Sequence, residues 1–303
     1  MTMTEERVGF IGLGNMGGRM ARCIVRAGRS VVGYDPRPGA AGDAGASPAP
    51  SVGAVTDACD LVLMSLPDSH VVESVVLGQG GVLEHARPGQ VVVDLSTAAP
   101  DSTRRICALL AEKGCDYLDA GISGGAAAAD AGTLTLMVGG EESALERARL
   151  TLDAFTGNLY HVGSSGAGHT VKLLNNFLNA VSLAATAEVM VAGKKAGLDL
   201  ALLLEVINKS SGVNFATLNR FPKIITGDYL KGGLTNALMM KDVVLYTDLA
   251  HSLGVASLNS AGPLASFGLA NALGYADQIS NTVVDAIGDV SGGTRLHEQK
   301  GDR

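Results

Sequence analysis

The sequence of 303 residues predicts an α/β protein with two domains, a doubly wound and mostly parallel sheet over residues 1–163 and an all-helical domain over residues 164–303. Short β-branched runs alternate with helix-length segments up to about residue 162, which is typical of parallel strands joined by crossover helices. Most of these runs are continuously apolar, as in strands that are covered on both faces. Beyond residue 163 the runs stop and helical periodicity takes over.

The individual elements follow from the same patterns. Apolar runs predict strands over residues 8–11, 31–34, 61–64, 91–93, 117–118 and 134–138, with a further short strand near Tyr160. Amphipathic segments between the runs predict helices over residues 16–27, 100–113 and 141–155. The stretch 167–195 predicts one long helix at the start of the second domain, and glycines punctuate the helical segments after it.

The composition excludes several functional classes. The 23 Lys and Arg residues against 30 Asp and Glu residues give a net charge of −7, which provides no basic field for a nucleic-acid backbone. Hydrophobic residues make up 47% of the chain and supply sizeable cores, but no uncharged apolar run approaches the roughly 20 residues that cross a bilayer. Residues 1–7 lack the apolar core of a secretory signal. We therefore expect a cytoplasmic protein that binds neither nucleic acid nor membrane.

The cysteines and histidines show no metal-binding pattern. The four cysteines form no C-x-x-C pair, and the six histidines show no H-E-x-x-H spacing. We expect no metal site and interpret Cys23, Cys59, Cys107 and Cys115 as buried, reduced thiols. His169 is expected to face solvent.

A glycine-rich turn follows the first predicted strand. Residues 12–17 fit G-x-G-x-x-G and open a helix, so the candidate cofactor contacts are Gly12, Leu13, Gly14, Asn15, Met16 and Gly17. Such glycines let backbone N–H groups approach a pyrophosphate at the helix start. Asp35 ends the second strand, 18 residues after Gly17, where a carboxylate accepts both ribose hydroxyls. We predict NAD as the cofactor because Asp35 repels a 2′-phosphate, while Arg37 leaves NADP open.

Polar and apolar side chains at two further strand ends are candidate ligand contacts. Leu66 and Pro67 follow the third predicted strand, and Ser96 and Thr97 follow the fourth. Ligands collect at the carboxyl edge of a doubly wound sheet. Pro67 alone is also explained as the end of a strand, and the two hydroxyls either contact a ligand or cap the next helix.

A second glycine cluster, Ser123, Gly124 and Gly125, follows the fifth predicted strand. Consecutive backbone N–H groups form an anion nest suited to a carboxylate. A structural turn explains these glycines equally well.

Lys172 is the candidate for proton transfer. On a helix it shares an arc of roughly 100° with Asn175, Asn176 and Asn179. The apolar residues Val171, Leu174, Leu178, Val181 and Ala185 occupy the other side. A partly desolvated lysine has a pKa below its usual ~10.4 and serves as an acid or base near neutral pH. The alternative is a solvated lysine whose neighbouring amides cap loops. Lys241 and Asp242, on a later segment, are explained in isolation as an exposed helix pair.

Taken together, these motifs resemble those of the β-hydroxyacid dehydrogenases, the family of 3-hydroxyisobutyrate dehydrogenase and tartronate semialdehyde reductase. The resemblance spans residues 8 to about 290. It implies an N-terminal Rossmann domain and a helical C-terminal domain, joined by a long interdomain helix that contains Lys172. It also implies homodimers or homotetramers in which the helical domains pack against each other.

The resemblance also implies roles for the matching residues. Lys172 is the implied catalytic acid/base, and Asn176 is its substrate-orienting partner. Ser123, Gly124 and Gly125 are the implied carboxylate binders. The implied cofactor contacts are Leu66, Pro67, Thr97 and Lys241, which replaces the exposed-pair interpretation of Lys241. The four alanines at 126–129 depart from the family pattern beside the substrate.

These inferences predict an NAD(P)-dependent oxidoreductase. It is expected to move a hydride between a small 3-hydroxy acid, similar to 3-hydroxyisobutyrate, and the nicotinamide. One alternative is a reductase of a related semialdehyde, such as tartronate semialdehyde, succinic semialdehyde or sulfolactaldehyde. Another is a non-catalytic dinucleotide-binding scaffold, against which the presence of Lys172 argues. We expect substrate-selecting side chains within residues 211–221 and on a neighbouring subunit.

Overall fold

A computed structural model of the protein describes residues 7–297 and confirms the predicted fold class. Residues 1–6 and 298–303 lie outside the described range. The expectation that residues 1–7 form no secretory signal therefore concerns residues that are mostly outside this range. Within residues 7–297, no helix combines the length and the apolar character that a membrane crossing requires.

The first compact unit extends to Lys172 and contains an eight-stranded sheet. Its strands are β1 (Val8–Ile11), β2 (Val31–Tyr34), β3 (Ser47–Pro48), β4 (Leu61–Met64), β5 (Val91–Asp94), β6 (Asp116–Ser123), β7 (Leu134–Gly139) and β8 (Thr156–Gly163). Their spatial order is β3-β2-β1-β4-β5-β6-β7-β8, and only the β6–β7 pair is antiparallel among the described strands. Strand β3 was not predicted, because its two residues are exposed, one of them is proline, and they form no apolar run.

Helices connect these strands in the doubly wound manner. They are α1 (Gly17–Arg26), α2 (Ala40–Asp43), α3 (Val52–Ala58), α4 (Ser69–Leu77), α5 (Val82–His85), α6 (Pro100–Ala111), α7 (Gly125–Ala131) and α8 (Glu142–Leu152). The three helices predicted in this region are present as α1, α6 and α8, each slightly shorter than predicted.

Each face of the sheet packs against its own set of helices. Alternate strand residues such as Phe10 and Leu63 form one core with α1 and α8, and Ile11 and Met64 form a second core with α4 and α6. All four side chains are at most 2% exposed, and burial of such a side chain contributes about 1.5–3 kcal/mol. Coverage of both faces explains why the strands are continuously apolar in sequence.

The second compact unit begins at Leu173 and is helical throughout its described part. The chain enters it along α9 (Ala167–Lys195), whose bounds are those predicted, and continues through α10 (Leu200–Asn208), α11 (Phe215–Asn219), α12 (Phe221–Ile224), α13 (Asn236–Ser252), α14 (Ala261–Ala270) and α15 (Val283–Val290). Its core includes Phe221, Met239 and Phe267, all fully buried. The domain limit predicted after residue 163 falls just before α9 and stays a prediction.

Candidate active site

The three glycines of the first turn occupy three different environments. Gly12 has a φ of +85°, and a Cβ there would collide with the Ser65 carbonyl oxygen. A Cβ at Gly17 would collide with the Gly12 carbonyl oxygen, so this glycine permits close packing of α1 on β1. Around Gly14 a Cβ would meet no atom within 4 Å. The backbone at Gly14 is therefore open to a ligand, as a pyrophosphate requires.

The loop after β2 completes this region. The Asp35 carboxylate accepts the N–H groups of Leu13 and Arg37, each at 2.8 Å, so both of its oxygens are held by the backbone. The Arg37 guanidinium pairs with Asp43 at 2.9 Å. A cavity of about 290 Å³ opens beside Gly14 and extends to Arg37. An open glycine backbone at a helix start and a fixed carboxylate at the next strand end fit a dinucleotide.

Hydrogen bonds between side chains and backbone hold the ends of β4 and β5 together. The Ser96 hydroxyl accepts the Leu66 N–H at 2.9 Å, and the Asp94 carboxylate accepts the Ser96 N–H at 3.0 Å. The Tyr117 hydroxyl donates to Asp94 at 2.9 Å, and burial together with this carboxylate raises the pKa of Tyr117 well above its usual value. Helix α6 has no side-chain cap, because Ala99 occupies that position. The Ser96 hydroxyl therefore ties the end of β5 to the end of β4.

The second glycine cluster ends β6 in a backbone conformation that favours glycine. Gly124 has a φ of +130° and Gly125 a φ of +70°, conformations that side-chain-bearing residues rarely adopt. Both residues are exposed, and a Cβ at Gly125 would meet no atom within 4 Å. The backbone at Gly124 and Gly125 is thus accessible to a ligand, as an anion nest requires.

The Lys172 side chain of α9 is buried against β6, close to this cluster. Its side chain is only 7% exposed, and a Cβ at Gly121 would lie 2.6 Å from the Lys172 Cβ. Gly168, one turn earlier on α9, leaves no room for a side chain against the Asp119 and Met137 carbonyl oxygens. The first turns of α9 therefore lie directly on the sheet. This close contact places Lys172 over Gly121, and β6 ends two residues after Gly121, at Ser123.

Asp119 fixes the start of α9. One carboxylate oxygen accepts the Gly166 N–H at 2.7 Å and the other accepts the His169 N–H at 2.8 Å. A carboxylate at a helix N-terminus satisfies free N–H groups and favours the helix dipole. Sequence reasoning assigned no role to Asp119, because its partners lie 47 and 50 residues away and no local pattern links them.

The expectation that His169 faces solvent is wrong. The residue is fully buried, and its Nδ1 lies 2.7 Å from the Thr103 hydroxyl. The position at the helix start suggested exposure, but α6 covers this side of α9. Cys23, Cys59 and Cys115 are buried free thiols as predicted, whereas Cys107 is only partly buried. Burial raises the pKa of Cys59 to about 11. No metal-binding group is found within residues 7–297.

The second unit holds the other two residues to which the resemblance gives roles. Asn176 is 2% exposed, and its Nδ2 donates to the Asp242 carboxylate at 2.5 Å. The Lys241 ammonium lies 3.1 Å from the other oxygen of Asp242. Asp242 is 1% exposed, so the interpretation of Lys241 and Asp242 as an exposed helix pair is wrong. Asp242 holds the Asn176 amide in a fixed orientation.

Helix α9 follows the predicted polar and apolar sides only in part. Lys172 and Asn176 of the predicted polar stripe are buried, whereas Asn175 is exposed. Leu174 and Leu178, on the predicted apolar side, are 45% and 68% exposed.

Two family models match the chain. The NAD binding domain of 6-phosphogluconate dehydrogenase matches residues 7–163, and a model described as NAD-binding of NADP-dependent 3-hydroxyisobutyrate dehydrogenase matches residues 166–287. The chain is 40% identical over 242 residues to 2-(hydroxymethyl)glutarate dehydrogenase of Eubacterium barkeri, covering 79% of this chain and 80% of that protein. It is 38% identical over 283 residues to an NAD-dependent L-serine dehydrogenase of Pseudomonas aeruginosa, covering 90% and 95%.

The fold shows the same similarity. The solved structure of Mycobacterium tuberculosis 3-hydroxyisobutyrate dehydrogenase with L-serine has a TM-score of 0.83 and 32% identity, covering 94% of this chain and 99% of that chain. These similarities span nearly the whole chain and confirm the resemblance carried by the sequence motifs. The chain therefore belongs to the β-hydroxyacid dehydrogenase family and is an NAD(P)-dependent oxidoreductase of 3-hydroxy acids.

Proposed function

We propose that the enzyme oxidises a small 3-hydroxy acid with Lys172 as its general acid/base. One observation carries this assignment. Lys172 is buried against Gly121, on the strand whose end forms the exposed backbone of Ser123, Gly124 and Gly125. Successive residues of a strand rise about 3.3 Å, so a carboxylate bound at this backbone lies a few ångströms from the lysine. A 3-hydroxy acid has its hydroxyl at that separation from its carboxylate.

The residues of this chain divide the chemistry among them. The N–H groups of Ser123, Gly124 and Gly125 bind the substrate carboxylate and orient the molecule. Lys172 accepts the hydroxyl proton as the C–O bond becomes a carbonyl, and Asn176 directs its amide at the same oxygen. When bound, the nicotinamide supplies the acceptor for the hydride that leaves the carbinol carbon. In the reverse direction Lys172 donates the proton, which gives reduction of the corresponding semialdehyde.

We propose Gly12, Leu13, Gly14, Asn15, Met16 and Gly17 as the pyrophosphate site and Leu66, Pro67, Thr97 and Lys241 as further cofactor contacts. NAD is the proposed cofactor, in preference to NADP. The Asp35 carboxylate is held in place by two N–H groups, and the Arg37 guanidinium pairs with Asp43. A fixed negative charge at the ribose disfavours a 2′-phosphate.

A substrate screen tests the proposal. Reduction of NAD and NADP at 340 nm is followed side by side with 3-hydroxyisobutyrate, L-serine, glycerate, threonate and 2-(hydroxymethyl)glutarate. We expect turnover of at least one 3-hydroxy acid, with NAD preferred. Dinucleotide binding without turnover of any compound contradicts the proposal and favours the scaffold alternative.

We also propose that the protein is cytoplasmic and forms homodimers or homotetramers. The exposed apolar side chains of α9 support association, since Leu174, Leu178 and Val189 are 45%, 68% and 47% exposed. Apolar side chains aligned on one helix side are typical of a surface that another chain covers.

A further inference from the structure

Arg220 lies between α11 and α12, and two amide side chains hold its guanidinium. Its Nη1 donates to Oδ1 of Asn281 at 2.8 Å, and its Nη2 donates to Oδ1 of Asn179 at 3.0 Å. Asn281 is 2% exposed and donates to the Tyr229 carbonyl at 2.8 Å, so it is itself anchored. The guanidinium carbon lies 5.7 Å from the centre of the Phe215 ring. The charged group is therefore fixed in one orientation.

This cation has no anionic partner within residues 7–297. Both of the groups that it binds are neutral amides. A guanidinium has five N–H donors, so several remain without an acceptor in the described part of the chain. Burial lowers the pKa of Arg220 to about 10, and the group therefore stays charged at neutral pH. Because a desolvated charge without a counter-charge costs free energy, the arrangement indicates an anion that comes from elsewhere.

Arg220 lies close in the fold to the residue proposed to orient the substrate. Its partner Asn179 follows Asn176 by three residues on α9, a rise of about 4.5 Å. Asn176, Asn179 and Arg220 all belong to the second compact unit. Arg220 also falls within residues 211–221, where the sequence predicts substrate-selecting side chains. A ligand that meets Asn176 is thus near enough to extend to the guanidinium.

We propose that Arg220 binds a second carboxylate of the substrate, so that the preferred substrates are 3-hydroxy acids with a further carboxylate on the side chain. A guanidinium donates two parallel hydrogen bonds to the two oxygens of a carboxylate, which gives orientation as well as attraction. This inference rests on the proposed function, because it adds a specificity determinant to the same reaction.

The test uses two substrates that differ only in the distal group. They are 2-(hydroxymethyl)glutarate and 2-(hydroxymethyl)pentanoate, in which a methyl group replaces the distal carboxylate. We expect wild-type kcat/KM to be about 100-fold higher for the dicarboxylate, since a site built for a charged group rejects an analogue that lacks it. Arg220→Met is expected to lose about 100-fold on the dicarboxylate, mainly through KM, and far less on the pentanoate. The kcat/KM of Arg220→Lys for the dicarboxylate should lie between those of the wild type and Arg220→Met.

Controls separate this inference from the proposed function. Lys209→Met removes a cation that is exposed just after the end of α10 and pairs with Glu205 of that helix, and it should leave the ratio of the two kcat/KM values unchanged. Equal wild-type kcat/KM values, or equal losses on both substrates in Arg220→Met, overturn the role of Arg220 but leave the dehydrogenase activity standing. No turnover of any 3-hydroxy acid overturns both. Should Arg220→Met fail to fold, wild-type inhibition by glutarate and pentanoate decides: stronger inhibition by glutarate supports the inference, and equal inhibition overturns it.

Discussion

The glycine-rich turn at residues 12–17 and the surroundings of Lys172 are built in different ways within one compact unit. Gly12, Gly14 and Gly17 belong to one continuous stretch, and the Asp35 carboxylate that holds it comes from the next strand end. The position of Lys172 instead depends on strand residues about 50 positions away in sequence, such as Asp119 and Gly121. A short motif thus carries its own geometry, whereas Lys172 is placed by parts of the chain that only the fold brings together.

The largest expected effect is a loss of turnover at Lys172 that leaves cofactor binding at the glycine-rich turn unchanged. Lys172→Ala removes the proposed general acid/base and should lower kcat by about 10²–10⁴-fold. The affinity for NADH, measured by titration of the cofactor's own fluorescence, should stay close to that of the wild type, because the turn at residues 12–17 is untouched. Lys194→Ala is a matched control, since this lysine is exposed in the last turn of the same helix. Turnover of Lys172→Ala near the wild-type rate would remove Lys172 from the mechanism.

The same contrast explains how much the sequence predicts. The strands at 8–11, 31–34 and 61–64 and the long helix at 167–195 are predicted correctly, because burial on both faces and helical periodicity are local patterns. The burial of His169 is missed because it depends on α6, about 65 residues earlier in the chain. Asp242 is missed for a similar reason, since its partner Asn176 lies 66 residues away. Long-range partners leave no periodic signal in a single sequence.

A smaller effect is expected at the end of β2, where we propose that Asp35 selects the cofactor. Asp35→Asn removes the negative charge but keeps an oxygen that accepts one backbone N–H. We expect kcat/KM with NAD to fall and that with NADP to rise, each by about tenfold, because a charged hydrogen bond to the ribose contributes roughly 1.5–3 kcal/mol. Steady-state kinetics with both cofactors measure the ratio. An unchanged ratio would show that Asp35 supports the loop and does not select the cofactor.

The smallest effect is expected at Asp119, which holds the start of α9 and is not a proposed substrate contact. Asp119→Asn weakens the charged bonds to the Gly166 and His169 N–H groups. It should lower the free energy of unfolding by about 1–3 kcal/mol. Asp101→Asn is the matched control, because this acidic residue also occupies the first turn of a helix but is 80% exposed.

A purely structural role and a positioning role for Asp119 differ in kinetics. If the carboxylate only stabilises the unit, the folded fraction of Asp119→Asn retains wild-type kcat, and the loss appears in denaturation alone. If it also fixes the first turns of α9, kcat falls severalfold at a temperature where the variant is fully folded, while KM for NAD is retained. We expect the second result, because the two N–H groups that Asp119 holds belong to the backbone three and six residues before Lys172, in the turns of α9 that place Lys172 against Gly121.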